Sequence, residues 1–184
     1  MAQAGAGETR ALSTAELREG KKVRAAFPRL PRRPIVVVLD GVRQNYNIGA
    51  IFRLCDAFLV ERLVICGAPV ELRKRKLVQA ARGTQHWVPW EHRDRAADAV
   101  SEAKARGAFV VAAEQTTASL PLPQLATRFP VCLVLGSEDR GVAEDVLACA
   151  DAVGTIPMLG MANSLNVAST AAIFLHWLSG VLAG

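Results

Sequence analysis

The apolar residues of this chain gather in short continuous runs that are separated by polar loops and helical patterns. A run of about four to eight apolar, largely β-branched residues is typical of a strand that is covered on both faces of a sheet. A further short strand is predicted from Val153 to Met158, where Pro157 ends it. The four longer runs are IVVVLD from Ile35, LVICG from Leu63, AFVVAAE from Ala108 and VCLVLG from Val131.

Helical patterns lie between these runs. One helix is predicted from about Asn47 to Phe58, with Asn45 or Asn47 as its cap, and an amphipathic helix from Arg95 to Arg106. Residues 68–75 predict a loop that leads into a basic helix, and residues 145–150 predict a short helix. Strands that alternate with helices predict an α/β fold in which helices flank a parallel sheet.

The stretch from Val153 to Gly184 contains no Asp, Glu, Lys or Arg. After a loop at residues 159–162, a helix is predicted that Asn163 or Ser164 caps and Gly180 ends. Its apolar face requires a partner, because apolar surface is unfavourable in water. The residues of that face are Val167, Ala171, Phe174 and Leu178.

A membrane anchor is the alternative interpretation of this stretch, since residues 164–183 have about the length of a membrane span at ~1.5 Å per residue. Two features argue against it: hydrocarbon would leave its polar side chains unsatisfied, and no basic flank would orient a span. The sequence therefore favours a helix buried in the core or in a subunit interface, without a membrane. The polar side chains are those of Asn163, Ser164, Asn166, Ser169, Thr170 and His176.

Residues 1–33 are predicted to be a basic, partly disordered extension, and residues 34–184 to be the folded domain. Ser13 and Glu16 have capping-box spacing, which predicts a short helix from Ser13 to about Phe27. A basic arm follows, which prolines keep extended. It contacts phosphates or is simply a solvated linker. Its basic residues are Lys21, Lys22, Arg24, Arg29, Arg32 and Arg33.

The chain has 184 residues, of which 51% are hydrophobic, enough for one compact domain with a sizeable core. Its net charge of +5 and pI of about 9.4 indicate an anionic partner, and nucleic acid is the commonest one for a basic protein. The alternative is a basic enzyme that binds no nucleic acid, since such an enzyme can have the same net charge. Charge alone therefore leaves both possibilities open.

The cysteines are scattered, with no CxxC pair and no histidine at metal-ligand spacing, so no metal site is expected. Three of them lie in apolar runs, and all four are predicted to be buried free thiols. Reduced thiols, and an N-terminus without an apolar signal segment, predict a cytoplasmic protein. The cysteines are Cys55, Cys66, Cys132 and Cys149.

Basic and aromatic residues alternate between Arg73 and Trp90. This composition suits a surface that binds nucleic acid, because cations contact phosphates and rings stack on bases. A solvated helix face followed by tryptophans of the core has the same composition. Both interpretations stay open at this point.

Polar segments follow the predicted strands, and ligands of parallel sheets bind at the carboxyl ends of the strands. The glycine patterns GxGxxG and GxxxxGK[ST] are missing, which disfavours the common nucleotide-binding oxidoreductases and P-loop enzymes. GxSxG and HExxH are missing as well, which disfavours the familiar hydrolases. The polar segments are DGVRQNYNIGAIFR, AEQTT, GSEDRGV and LGMANSLN.

Three segments resemble, in order and spacing, the motifs of the SpoU (TrmH-like) branch of the SPOUT RNA methyltransferases. The resemblance spans about Ile35 to Leu178. It implies a C-terminal trefoil knot, a rare exception among folds, together with a homodimer and S-adenosyl-L-methionine bound at the knot. The segments are DGVRQNYNIGAIFRLCDAF, LVLGSEDRGV and IPMLGMANSLNVASTAAI.

By this resemblance, Gly136, Ile156 and Leu165 contact the cofactor, largely through their backbone, with Met158 and the AAEQTT loop close by. A glycine lets backbone and ligand approach closely, and adenine suits an apolar slot with main-chain hydrogen bonds. Packing in the core explains the types of Ile156 and Leu165 equally well.

The resemblance also implies catalytic positions. The reaction is an in-line attack of a ribose 2′-oxygen on the sulfonium methyl, for which the enzyme aligns the atoms and handles a proton. Arg53 either accepts that proton or stabilises the developing alkoxide. Glu138 is expected to orient Arg53 or Asn166, and Asn47 to hold the RNA or the arginine. The positions are Asn47, Arg53, Glu138, Ser164 and Asn166.

RNA is the implied substrate, and a short extension in place of a separate RNA-binding domain favours tRNA over rRNA. Asn45 and Tyr46 depart from the family pattern, which leaves the choice of substrate open. A catalytically silent RNA-binding protein is the alternative, although such a protein would not need the polar motif residues. Methylation of a protein or small molecule would leave the basic surfaces unused. The residues expected to bind RNA are Arg32, Arg33, Arg73, Lys74, Arg75 and Lys76.

Overall fold

The computed structural model describes residues 10–19, 21 and 30–183. The chain divides into two compact units, residues 1–30 and 31–184. In the first unit, Ser13 and Glu16 exchange hydrogen bonds as a capping box does, before a 3₁₀ helix at Glu16–Arg18. Of the predicted helix from Ser13 to Phe27, residues 20 and 22–27 lie outside the described residues, as do Lys22, Arg24 and Arg29 of the basic arm.

The second unit is a three-layer α/β structure around a seven-stranded sheet whose paired strands all run parallel, in the order β3-β2-β1-β6-β4-β7-β5. The predicted parallel sheet flanked by helices is therefore confirmed. The strands are β1 (Arg33–Asp40), β2 (Val60–Cys66), β3 (Trp90–Arg93), β4 (Phe109–Ala113), β5 (Leu120–Pro121), β6 (Val131–Gly136) and β7 (Ala152–Thr155). The helices are α1 (Asn45–Ala57), α2 (Arg75–Ala81), α3 (Ala96–Ala105), α4 (Glu144–Cys149) and α5 (Val167–Ala183).

Both faces of the central strands are buried, as their continuous apolar runs require. Ile35, Val37 and Leu39 of β1 pack into the core that contains α1, α2 and α5. Val36 and Val38 point to the opposite face, where α3 and α4 cover the sheet. The sheet therefore has three helices on one face and two on the other.

Helix α1 approaches α2 closely at Gly49. A Cβ on Gly49 would overlap the carbonyl oxygen of Leu77 and contact Ala80 and Ala81. Glycine therefore permits a helix contact at this point that a larger residue would prevent.

Strands β3 and β5 are absent from the predictions. The sequence of β3, WEHR, has no apolar run, and its charged side chains are paired with neighbours. Glu91 bonds to Arg62 of β2 at 3.3 Å, and Arg93 bonds to Glu102 of α3 at 2.9 Å. An edge strand of this kind is recognisable only in the folded structure, where the partners of its charged side chains are known.

The aromatic residues of this region belong to the core side of the sheet. The ring of Trp90 packs edge-on against Phe52 with centroids 6.0 Å apart, and Trp87 donates from its indole nitrogen to Asp56 at 2.7 Å. Trp87 and Trp90 are therefore tryptophans of the core, as the second of the two interpretations of this segment predicts.

The C-terminal segment differs from its prediction at three points. Strand β7 ends at Thr155 and does not reach Met158. The cap of α5 is Asn166, whose Oδ1 accepts from the N–H of Ala168 at 2.9 Å. The helix continues through Gly180, because a glycine costs only about 1 kcal/mol relative to alanine and the buried face outweighs it. The predicted face is confirmed, with Leu175 added: Val167, Ala171, Phe174, Leu175 and Leu178 are all buried.

In the described part of the chain, no helix is both long enough and apolar enough to cross a membrane. The apolar face of α5 instead packs on β6 and α1.

Three of the four thiols are buried and free, as predicted. Burial raises the pKa of Cys66 and that of Cys132 to about 12, and it raises the pKa of Cys55 even further. These side chains are therefore neutral members of the core. Cys149 is only half-buried.

Asp151 ties the turn before β7 to two other elements. Its carboxylate accepts from the Nζ of Lys104 and from the N–H of Val110, each at 2.8 Å. Partial burial opposes ionisation, but these bonds outweigh it and hold the pKa of Asp151 below its ordinary value. Because the folded-state pKa is the lower one, ionised Asp151 stabilises the fold above the unfolded-state pKa of about 3.9, and this contribution is lost as the pH falls through the folded-state value.

We expect Asp151→Asn to lower the free energy of unfolding at pH 7 by about 1 kcal/mol or less, as for other partly exposed charged bonds. The difference in free energy of unfolding between the variant and the wild type should shrink as the pH falls below ~4. Urea unfolding at a series of pH values measures this difference. Glu61→Gln is the control, since the exposed Glu61 forms no hydrogen bond or ion pair among the described residues. A difference that does not change with pH would contradict this account.

Candidate functional site

A cavity of about 360 Å³ opens at the carboxyl ends of β4, β6 and β7. This is the edge at which parallel sheets bind ligands. The segments around it come from the β4–β5 loop, the loop after β6, the stretch after β7 and the start of α5. Its lining includes Glu114, Gly136, Glu138, Ile156, Met158, Ser164, Leu165, Asn166, Thr170 and Phe174.

All four residues predicted to contact a cofactor line this cavity: Gly136, Ile156, Met158 and Leu165. Gly136 ends β6 at the point where the chain folds back on itself. A Cβ there would overlap the carbonyl carbon of Gly141 and the amide nitrogen of Val142. Only glycine therefore permits the loop at residues 137–141 to close against β6.

Glu114 holds that loop from the other side, and sequence reasoning did not identify it as a site residue. Its carboxylate accepts from the N–H of Val142 at 2.8 Å and from the N–H of Gln115 at 2.9 Å. Gln115 in turn donates from its Nε2 to the carbonyl oxygen of Asn163 at 2.6 Å. The only signal in the sequence was the polar AEQTT segment after a buried strand.

A chain of hydrogen bonds joins Glu138, Asn47 and Asn166 at the rim of the cavity. The Nδ2 of Asn47 donates to the carboxylate of Glu138, and its Oδ1 accepts from the Nδ2 of Asn166 at 3.0 Å. Asn47 is only 1% exposed, so this side chain depends on both partners. Glu138 is thus bonded to Asn47, and no hydrogen bond joins it directly to Asn166 or Arg53 among the described residues. Its role in orienting Arg53 or Asn166 stays a prediction.

Arg53 is exposed on α1 and does not line the cavity. Its guanidinium forms no hydrogen bond or ion pair with another residue in the part of the chain that the structure describes. Along the helix, Arg53 lies about 9 Å from Asn47, at ~1.5 Å per residue. Ser164, in contrast, lies in the cavity wall beside Asn166.

The six basic residues predicted to bind RNA fall into two groups. Arg32 and Arg33 lie at the start of β1, about 23 Å from its carboxyl end at ~3.3 Å per residue. The guanidinium of Arg32 donates to the carbonyls of Val60 and Trp87, at 3.1 and 3.3 Å. This pair is therefore far from the cavity, and Arg32 is held by the fold.

The second group surrounds the start of α2 and is exposed. Lys74 lies 3.3 Å from the carboxylate of Glu71, and both side chains are largely in solvent. The other three cations form no ion pair with a described residue. They are Arg73, Arg75 and Lys76.

The lining of the cavity combines apolar side chains with backbone groups and a few polar side chains. That combination suits a small molecule with an aromatic part and polar edges, and the volume falls within the usual range for such sites. No three His, Cys, Asp or Glu side chains come together among the described residues in a way that could hold a metal ion.

Comparison with known proteins gives a family match over most of the chain. The model of the SpoU rRNA Methylase family matches residues 34–176. A curated relative, the tRNA (guanosine(18)-2'-O)-methyltransferase of Escherichia coli (strain K12), is 31% identical over 148 residues. The aligned region is 79% of this chain but only 63% of that protein. The chain thus spans less than two thirds of the length of this relative.

Solved structures share the fold. The A. aeolicus TrmH/SpoU tRNA modifying enzyme has a TM-score of 0.75 and 32% identity, covering 85% of this chain and 80% of that one. An AdoMet-bound rRNA methyltransferase from Sinorhizobium meliloti has a TM-score of 0.74 and 27% identity, covering 85% of this chain and 60% of that one.

Proposed function

Because this chain belongs to the SpoU rRNA methylase family, we propose that it transfers a methyl group from S-adenosyl-L-methionine to a ribose 2′-oxygen of RNA. One observation carries the proposal. The cavity that contains Gly136, Ile156, Met158 and Leu165 has the hydrogen-bonded chain of Glu138, Asn47 and Asn166 at its rim. A site for a small molecule and a set of oriented polar groups therefore adjoin each other.

The cavity has the groups that S-adenosyl-L-methionine requires. Ile156, Leu165 and Phe174 offer apolar surface to the adenine, and Gly136 lets the loop at residues 137–141 close against β6 and shape the cavity wall. When bound, this cofactor supplies a methyl group on a positively charged sulfur. The Sinorhizobium meliloti relative is described as AdoMet-bound, which supports the same ligand here.

The proposed role of Arg53 is electrostatic. Arginine is not deprotonated in proteins at neutral pH, so it is poorly suited to take a proton from a ribose hydroxyl. A guanidinium beside the 2′-oxygen can instead stabilise the negative charge that develops there. The hydroxyl of Ser164 can accept a hydrogen bond at the cavity wall, and Asn47 and Asn166 keep the neighbouring amides oriented.

The proposed substrate is tRNA in preference to rRNA. The Escherichia coli relative acts by its name on guanosine 18 of tRNA, and the A. aeolicus relative is named a tRNA modifying enzyme. The Sinorhizobium meliloti relative is named an rRNA methyltransferase, so rRNA is the second candidate. The proposed place of action is the cytoplasm.

The proposed RNA surface is the exposed cluster Arg73, Lys74, Arg75 and Lys76 at the start of α2. Arg73, Arg75 and Lys76, which form no ion pair with a described residue, can neutralise phosphates, and the resulting affinity falls steeply with salt. Arg33 and Arg32 contribute less in this proposal, because they lie at the opposite end of β1 and Arg32 bonds to backbone carbonyls.

We also place a trefoil knot at the C-terminus in this proposal. The segment between β7 and α5 is bonded through Asn163 to Gln115 of the β4–β5 loop and through Asn166 to Asn47 in the first turn of α1. It then continues into α5, which packs against α1 on a face of the sheet. The proposed knot requires that this segment pass through a loop of the chain before α5 begins.

A homodimer is proposed from the apolar surface of the same segment. Leu159 and Met161 are each 99% exposed, and Ile173, Val181 and Leu182 of α5 are exposed by more than a third. Contiguous exposed apolar residues typically mark an interface, and we propose that residues of this group form such a patch. A second copy of the chain is the proposed occupant.

We expect the protein to have about twice the mass of the 19.7 kDa chain when measured by light scattering. Ile173→Glu should shift it towards the monomer, because an unpaired carboxylate in an apolar interface is costly. Ser101→Glu on the exposed side of α3 should leave the mass unchanged. A monomeric wild type at micromolar concentration would refute the homodimer.

The function is tested by transfer of labelled methyl from S-adenosyl-L-methionine to total tRNA and, separately, to rRNA, both from cells that lack this protein. We expect label in the tRNA pool at a linkage that resists alkaline hydrolysis, because a 2′-O-methyl group blocks attack on the adjacent phosphate. Transfer should weaken as salt rises. Cofactor binding without label in either pool would favour a silent RNA-binding protein instead.

A further inference from the structure

Tyr46 is the only tyrosine of the chain, and its ring is 60% exposed. Every other Phe and Trp ring among the described residues is buried or half-buried. A single exposed apolar side chain needs no special explanation. Tyr46, however, lies next to Asn47 in the first turn of α1, and this position beside the site requires an explanation.

Helix α1 presents different residues to the cavity rim and to solvent. Asn47 is buried and bonds to Glu138 and Asn166. Tyr46 and Arg53 are both exposed and are seven residues apart, so they lie on the same face, about 10.5 Å apart along the axis at ~1.5 Å per residue. Ala50, on the same face between them, has only a methyl side chain. The Tyr46 ring and the Arg53 guanidinium therefore flank a part of the helix surface where the side chain is short.

The charge around this face suits a nucleic acid. Arg43 precedes the helix, is exposed and, like Arg53, forms no ion pair with any described residue. Asp56 at the far end of α1 is bonded to the indole of Trp87, and Glu138 is bonded to Asn47. The charged side chains of residues 41–55 are therefore two cations without ion pairs among the described residues, Arg43 and Arg53, which favour a phosphate-bearing partner.

We propose that Tyr46 stacks on an unpaired base of the RNA next to the ribose that receives the methyl group. This inference rests on the proposed function and names how the same site recognises its substrate. Aromatic side chains bind bases that are free of a helical stack, and each such stack contributes about 1–3 kcal/mol. The site would then prefer a looped-out nucleotide to a paired one, because a paired base has no free face.

The test is direct RNA binding without cofactor, measured by fluorescence anisotropy with a labelled hairpin that has an unpaired loop and with a fully paired duplex of the same charge. Tyr46→Ala should weaken hairpin binding at least ~5-fold, the effect of ~1 kcal/mol. Tyr46→Phe should bind like the wild type, because it keeps the ring. Binding of the duplex should not change in either variant.

Equal hairpin affinity for the wild type and Tyr46→Ala would overturn the inference, and so would equal losses in Tyr46→Phe and Tyr46→Ala. A change of mass in solution for Tyr46→Ala would instead place the ring in a subunit contact and would also overturn it. Methyl transfer is scored separately: Tyr46→Ala should raise the KM for RNA and leave the KM for S-adenosyl-L-methionine unchanged. Tyr46-dependent hairpin binding without any transfer would refute the proposed function alone. A wild type that binds no RNA would refute both.

Discussion

Arg53→Ala is expected to reduce methyl transfer to RNA at least ~100-fold while the affinity for S-adenosyl-L-methionine stays unchanged. Loss of a group that stabilises a developing oxyanion typically has an effect of about this size. The affinity should be preserved because Arg53 does not line the cavity. The two quantities are measured as single-turnover transfer to tRNA and as calorimetric binding of the cofactor.

The control for charge is Arg106→Ala, an exposed arginine at the end of α3 on the other side of the sheet, paired with Glu102 of the same helix. It should transfer methyl groups at the wild-type rate. Arg53→Lys keeps the positive charge but loses the planar donor group. Its rate of methyl transfer should therefore lie between those of the wild type and Arg53→Ala. Turnover of Arg53→Ala near that of the wild type would refute the assignment.

Gly136→Ala is expected to weaken cofactor binding by at least ~10-fold and to destabilise the fold. The added methyl would overlap the backbone of Gly141 and Val142, and backbone cannot move aside as a flexible side chain does. Overpacking of this kind costs about 1–3 kcal/mol, and ~1.4 kcal/mol corresponds to tenfold in affinity. The loop that carries Glu138 would have to shift, so the cavity wall would change shape.

Gly160→Ala is the matched control for this prediction. A Cβ on Gly160 would meet nothing within 4 Å, and the residue is exposed in the segment between β7 and α5. Cofactor affinity and thermal stability of Gly160→Ala should equal those of the wild type. If Gly136→Ala also binds the cofactor normally and melts at the wild-type temperature, the close approach at Gly136 is not required.

Much of the site was accessible from the sequence, because its glycine and polar residues occur in segments that directly follow buried strands. Gly136 begins the polar segment after β6, which that rule assigns to the edge where the carboxyl ends of parallel strands meet, whereas the position of Ile156 was implied by the family resemblance. The partner of Glu138 was not accessible in this way. Glu138 and Asn47 are 91 positions apart, and no local pattern indicates which of several nearby amides a carboxylate will bond.

The same reasoning explains Glu114, the site residue that the sequence did not identify. Its role depends on the N–H of Val142, which is free to donate to a side chain only because Gly136 and Gly141 fold the intervening loop back. A carboxylate after a strand is common, and nothing near it in the chain marks it as a loop clamp.

The sequence by itself determined the parallel α/β architecture, since the runs at Ile35, Leu63, Ala108 and Val131 have no polar face and can be stable only between two layers of helices. It also determined the buried face of α5, because helical spacing is local. The tertiary structure alone decided that WEHR is a strand, that Asn166 caps α5, and that Asn47 joins Glu138 to Asn166. Each of these depends on a hydrogen bond or ion pair whose geometry is set by packing, and packing brings together residues that the chain keeps far apart.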